Sequence, residues 1–139
     1  MREDSVKLLD KLESLDRPEK LAHVDSVKDN FLFINNHKDL KLIDWEYAGM
    51  ADPLIDIAMC SIYSYFNKAQ ADHLTDLYFG KETPSEQERG IVYAYMALGG
   101  LLWALWAVYK SQLGVNFGEY TLIQYRYAKD FYKEAMSRL

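Results

Sequence analysis

Near the start of the chain, apolar residues recur at helical spacing. Val6, Leu8, Leu9, Leu12 and Leu15 share one face of residues 5–15, which predicts an amphipathic helix, and Pro18 blocks its continuation. Two short apolar runs follow, Phe31 to Asn35 and Leu40 to Asp44, separated by the polar, turn-prone Asn36-His37-Lys38-Asp39. This pattern predicts a β-hairpin. Asp52-Pro53 reads as a helix start, with Asp as N-cap and Pro in the first position, and Ile55 to Phe66 is apolar nearly throughout, as in a buried helix. A polar helix over residues 68–78 should stop at Gly80. Thr83-Pro84-Ser85-Glu86 has the form of a capping box opening a long apolar helix, with a bend expected near Gly99-Gly100. Gly114 to Gly118 reads as a loop, and residues 119–138 as a last amphipathic helix bearing Tyr120, Tyr125, Tyr127, Phe131 and Tyr132. The fold class expected from these elements is α+β, mostly α, with about five helices around one hairpin.

Composition narrows the picture. A chain of 139 residues, half of them apolar, can build the core of one domain. With 16 basic against 21 acidic residues and a net charge of -5, it offers no basic footprint for nucleic acid. Ile91 to Tyr109 runs without a charge, long enough to raise the question of a membrane span. Gly99-Gly100 and the scattered Tyr and Trp residues favour a core helix instead. The single cysteine, Cys60, excludes an intrachain disulfide and reads as a structural thiol. Together with the lack of a basic-then-apolar signal pattern after Met1, it suits a cytoplasmic setting. His37, in the turn, and His73, on a polar helix, are assigned no role.

The segment from His23 through Asp25 to Asn30, followed by the hairpin and Asp44-Trp45-Glu46, carries the candidate chemistry. An antiparallel hairpin sets the start of its first strand beside the end of its second, so Asn30 and Asp44 meet at one end, and Asp25 lies within reach. Three oxygen-bearing side chains there suit Mg²⁺, which takes few protein carboxylates and completes its shell with water and phosphate. The spacing of His23, Asp25, Asn30 and Asp44 also matches the protein-kinase catalytic loop and its metal-binding Asp. Phosphoryl transfer uses these types because a carboxylate orients and deprotonates the attacking hydroxyl while an amide and a second carboxylate hold metal against phosphate. Taken alone, His23, Asp25 and Asn30 read better as a turn with capping side chains than as a site. Asp44, with Asp52 and Asp56 following it, shifts the reading toward a site. Trp103 and Trp106, three apart, share a helix face, either as core or as walls of a cation–π box.

HxDxxxxN, Leu42-Ile43-Asp44-Trp45-Glu46-Tyr47-Ala48-Gly49 and Asp52-Pro53-Leu54-Ile55-Asp56-Ile57-Ala58 together resemble the choline/ethanolamine kinase family within the aminoglycoside phosphotransferase superfamily, bacterial choline kinases of the LicA type in particular. Leu101 to Trp106, Asn116-Phe117-Gly118 and Arg126 extend the resemblance over nearly the whole chain. It implies the C-terminal catalytic and substrate-binding lobe of a protein-kinase-like small-molecule kinase, residues 1–139, without the N-terminal ATP-binding lobe that would be its partner. It further implies Asp25 as catalytic base, Asn30 and Asp44 as Mg²⁺ ligands with Glu46 beside the metal, and His23 and Asp56 as supports of the catalytic loop. ATP would be the phosphoryl donor and choline or ethanolamine the acceptor, held by Trp103 and Trp106 with Tyr63, Tyr65 and Phe117 as further walls. An aminoglycoside, thiamine or another alcohol is the alternative acceptor, and a non-catalytic interaction module the alternative class. Such a lobe alone is expected to be inactive. Val24 stands where many relatives have Asn or Gly.

Overall fold

The computed structural model describes residues 2–139. Helix α1 (Arg2–Glu13) leads through an irregular stretch containing Pro18 to strand β1 (Lys20–Ala22), a 3-10 turn (Lys28–Asn30), and the hairpin strands β2 (Phe31–Ile34) and β3 (Asp39–Leu42). Strand β4 (Gly49–Ala51) follows, then helices α2 (Leu54–Tyr63), α3 (Lys68–Phe79), α4 (Glu86–Gln112) and α5 (Tyr120–Met136). The architecture is α+β and mostly α, as expected. The hairpin pairs Phe31 with Leu42 and Ile34 with Asp39. A second antiparallel ribbon, β1 with β4, pairs Lys20 with Ala51 and Ala22 with Gly49. Two three-residue strands far apart in sequence carry no alternation to betray them.

Two predicted helix starts move. Asp52 still caps α2 in effect, since its Oδ1 accepts from Leu54 N at 3.0 Å, but Pro53 precedes the first helical residue. The same carboxylate is buried and pairs with Arg17, Nε to Oδ2 at 2.8 Å, which ties the segment after α1 to the start of α2. On α4 the capping box is formed by Ser85 and Glu88 rather than Thr83 and Glu86: Ser85 Oγ accepts from Glu88 N, and Glu88 Oε2 accepts from Ser85 N. Pro84 is therefore outside the helix, and Ser85 is the residue whose extended backbone and side chain both suit an N-cap. On α3, Asn67 and Gln70 form a second such box, and Gly80 with φ of 65° ends the helix as expected.

The core lies where α4 packs on α2 and α5, with Leu8 and Leu12 of α1 closing one side. Helix α4 is long and apolar enough to cross a membrane, yet 56% of its most apolar window is buried within the protein, as in a core helix. It runs unbroken through Gly99-Gly100. Those glycines admit neighbours: a Cβ on Gly99 would meet Ile62 Cδ1 and Met59 Sδ at 3.0 Å, and one on Gly100 would meet Gln124 O at 2.7 Å.

Candidate active site

The loop from His23 to Asn30 is pinned from below by α2. Asp56, in the first turn of that helix, accepts from His23 N at 2.9 Å and Val24 N at 2.7 Å, while Ser26 Oγ donates to Asp56 O at 3.2 Å. Val24 is held at φ of 70°, a conformation that costs a β-branched residue energy and persists because these bonds fix both sides of it. The buried His23 donates from Nε2 to Ile43 O at 2.7 Å, and its ring meets Trp45 edge-on at 4.8 Å. His23 and Asp56 therefore stand where supports of the loop would stand. The packing of Trp45 against His23 is not signalled by the spacing, because Trp45 reads only as part of the strand end.

Asn30 is buried, and its Nδ2 donates to Asp25 O at 2.8 Å and approaches Asp25 Oδ2 at 3.3 Å. Ile43 N donates to Asn30 O at 3.0 Å, which fixes Asp44, the next residue, beside Asn30 at the open end of the hairpin. Asp25 and Asn30 are thus joined through the Asn30 side chain, and the hairpin brings the backbone before Asp44 alongside Asn30. Asp44 adopts φ of 64°, tolerable for Asp, and both it and Glu46 are exposed without an ion pair among the described residues. No group of three or more His, Cys, Asp and Glu side chains suited to a metal occurs among the described residues. By residue type, the carboxylates of Asp25 and Asp44 and the amide oxygen of Asn30 would be a hard, oxygen-only donor set. With Nδ2 of Asn30 spent on Asp25, its oxygen is left for a ligand, and such a set fits Mg²⁺ bound jointly with phosphate.

Tyr63, at the end of α2, connects this loop to the aromatic residues. Burial, reinforced by the negative charge of Asp25, pushes its hydroxyl pKa well above the usual phenol range. From Tyr63 the rings continue without a break: Trp103 at 5.9 Å, then Trp106 at 5.5 Å, Phe117 at 5.2 Å and Tyr120 at 6.0 Å between successive centroids. Trp106 is 39% exposed and edge-on to Trp103, so the pair is not sealed inside the core. Tyr65 is exposed, at φ of 55° just past α2, and lies near Tyr120, the last ring of the row, and Tyr127. Tyr120 extends the row although the sequence marks it only as one of several aromatics on an amphipathic helix. Its place depends on the 113–119 loop bringing Phe117 back onto Trp106.

A choline/ethanolamine kinase family profile matches residues 1–88. Protein LicA of Haemophilus influenzae is 34% identical over 106 residues, covering 73% of this chain and 39% of its own length. Choline kinase LicA from Streptococcus pneumoniae superposes with a TM-score of 0.74 at 32% identity, covering 95% of this chain and 46% of that one. LicA in complex with AMP gives 0.76 at 31%, and a choline/ethanolamine kinase family protein from Mesorhizobium loti gives 0.70 at 29%. The chain spans less than half the length of each of these relatives. On the profile match over most of its length and on the site that the same residues build, the chain belongs to the choline/ethanolamine kinase family.

Proposed function

We propose that this chain is the C-terminal, acceptor-binding lobe of an ATP-dependent kinase that phosphorylates the hydroxyl of choline or ethanolamine. The observation that carries the reading is the unbroken row of rings leading from Trp106 and Trp103 to Tyr63 beside Asp25. A trimethylammonium head set against such rings gains cation–π attraction, and its hydroxyethyl arm is short enough to lay the oxygen at a neighbouring carboxylate. Asp25 takes the hydroxyl proton as that oxygen bonds to the γ-phosphorus and the bond to the bridging oxygen breaks, releasing ADP. Asn30 and Asp44, with Glu46 beside them, would hold Mg²⁺, which when bound offsets the charge of the phosphates. His23 and Asp56 keep the loop in register. The AMP bound by the LicA relative supports nucleotide use. The remainder of the ATP site, and the N-terminal lobe that supplies it, belong to the part of the relatives this chain does not span.

The test uses the complete protein with Mg-ATP and a panel of choline, ethanolamine, an aminoglycoside and thiamine. Choline or ethanolamine is expected to be the preferred acceptor. Asp25→Asn should lower turnover about 10²- to 10⁴-fold. Trp103→Leu, which keeps bulk but removes the aromatic face, should raise the choline KM about tenfold and leave the Mg-ATP KM unchanged. Preference for the aminoglycoside or thiamine would overturn the acceptor. Binding without any transfer would favour a non-catalytic module.

A further inference from the structure

Helix α2 meets the catalytic loop at two levels of one face. Asp56 and Tyr63 are seven residues apart, close to two helical turns, so both project toward the loop. Asp56 holds the backbone of His23 and Val24, and Tyr63 reaches the side chain of Asp25. That side chain is otherwise loosely held: Asn30 Nδ2 makes its shorter bond, 2.8 Å, to Asp25 O and stands 3.3 Å from Oδ2. On the other side of Tyr63 lies Trp103, the ring centroids 5.9 Å apart and the planes inclined at 55°. The buried indole Nε1–H has no partner at ordinary hydrogen-bond distance, and the Tyr63 hydroxyl is the group it is directed to. The sense of each interaction is defined. Trp103 acts to lower the pKa of the phenol, as a donor to its oxygen does, and Asp25 acts to raise it, as an acceptor of its proton does. The hydroxyl therefore takes from Trp103 and gives to Asp25.

We propose that Tyr63 is a positioning residue for the base: its hydroxyl orients the Asp25 carboxylate toward the acceptor oxygen, and the Trp103 indole N–H in turn orients Tyr63. A base held in place by a third group is a recurring arrangement in catalysis. Trp103 thereby serves the reaction twice, its ring face against the cation and its N–H, through Tyr63, on the base. Contacts of this kind are loose in a resting site and tighten when the acceptor is in place. Removing the hydroxyl leaves the ring and the wall but lets the carboxylate turn, so the loss falls on turnover and not on choline binding. The inference rests on the acceptor reading above for the reaction it serves, while the contacts among Trp103, Tyr63 and Asp25 do not.

The experiment combines kinetics of the complete protein with indole ¹⁵N–¹H spectra, the Trp103 signal being assigned by its loss in Trp103→Phe. Tyr63→Phe should lower turnover about tenfold and leave the choline and Mg-ATP KM values unchanged. Tyr63→Leu, which removes the ring as well, should also raise the choline KM. Trp103→Phe added to Tyr63→Phe should lower turnover no further, because the indole N–H acts on the base only through that hydroxyl. In the spectra, Asp25→Asn should move the Trp103 signal, and the movement should vanish in the Tyr63→Phe background, whereas the field of the lost charge alone would move it in both. Should Tyr63→Phe fail to fold, Trp103→Phe carries the kinetic test: a fall in turnover of about threefold supports the proposal, and unchanged turnover overturns it. Unchanged turnover in a folded Tyr63→Phe, or a raised choline KM at unchanged turnover, would make Tyr63 a wall only and overturn the proposal. If the unaltered protein transfers phosphate to no acceptor of the panel, the acceptor reading fails, and the linked movement of the Trp103 signal then supports the chain of contacts by its presence and overturns it by its absence.

Discussion

At the scale of single residues, the loop that carries Asp25 stores strain at Val24. Its φ of 70° places a β-branched side chain in the left-handed region, where Cβ crowds the backbone and the cost is about 1–2 kcal/mol. The Asp56 carboxylate offsets this by taking the backbone N–H groups of His23 and Val24 together. Asn at position 24 reaches the same conformation more easily and leaves those backbone bonds intact. Val24→Asn is therefore expected to raise stability by about 1 kcal/mol, read as a higher denaturant midpoint at unchanged slope. A lowered midpoint would show that the valine side chain contributes packing that outweighs its strain. The sequence shows Val24 as a departure from the residues common in its relatives, but the reason becomes visible only with the backbone angle. The contact of Asp25 with Asn30 was legible because their spacing is fixed, and the approach of the strand end at Ile43 to Asn30 because a hairpin pairs them. The edge-on packing of Trp45 against His23 was not, since it depends on side-chain directions.

At the scale of elements, local signals located all five helices and the hairpin, and they failed where a choice between neighbouring caps or a distant partner decided the outcome. Thr83 and Ser85 both satisfy the capping pattern, and Ser85 wins because Glu88 reaches back to it. The β1–β4 ribbon escapes because each strand is three residues long and pairing follows from the placement of α2. Gly99-Gly100 reads as a bend, yet the helix continues and the glycines serve close packing. A Cβ at Gly100 would meet Gln124 O at 2.7 Å, Tyr127 Cβ at 2.8 Å and Ala128 N at 3.0 Å, and two of these are backbone atoms that cannot swing aside. Alanine in place of glycine in an exposed helix interior stabilises by about 1 kcal/mol, so the sign of the effect discriminates. Gly100→Ala is expected to destabilise by about 1–3 kcal/mol, because α4 and α5 must separate. Thermal unfolding checks this, and a raised midpoint would mean the two helices have room to spare.

For the whole molecule, exposed apolar surface lies in two main stretches, the second half of α4 with the loop after it and the β-ribbons, of which the ribbons adjoin the site. Leu21 of β1 and Met50 of β4 are register partners and both about 63% exposed. On the hairpin, Phe33 and Leu40 are likewise partners, and both are exposed, as are Leu32, Ile43, Trp45 and Tyr47. Each ribbon thus presents an apolar cross-strand pair to solvent, whereas cross-strand pairs ordinarily stabilise a sheet by being covered. The same ribbons carry Asp25, Asn30 and Asp44 at their ends, so a body covering them would also close over the phosphates. This chain spans less than half the length of its relatives, whose remaining length leaves room for such a body. If the N-terminal lobe fills that place, the isolated 139 residues should bind a hydrophobic dye such as ANS, bind ATP weakly and transfer no phosphate. Joining them to an N-terminal lobe should quench the dye signal and restore transfer together, because one surface serves both. Ordinary turnover by the isolated chain would sink the two-lobe assignment. Dye binding that persists in an active complete protein would keep the activity but move the lobe off the ribbons.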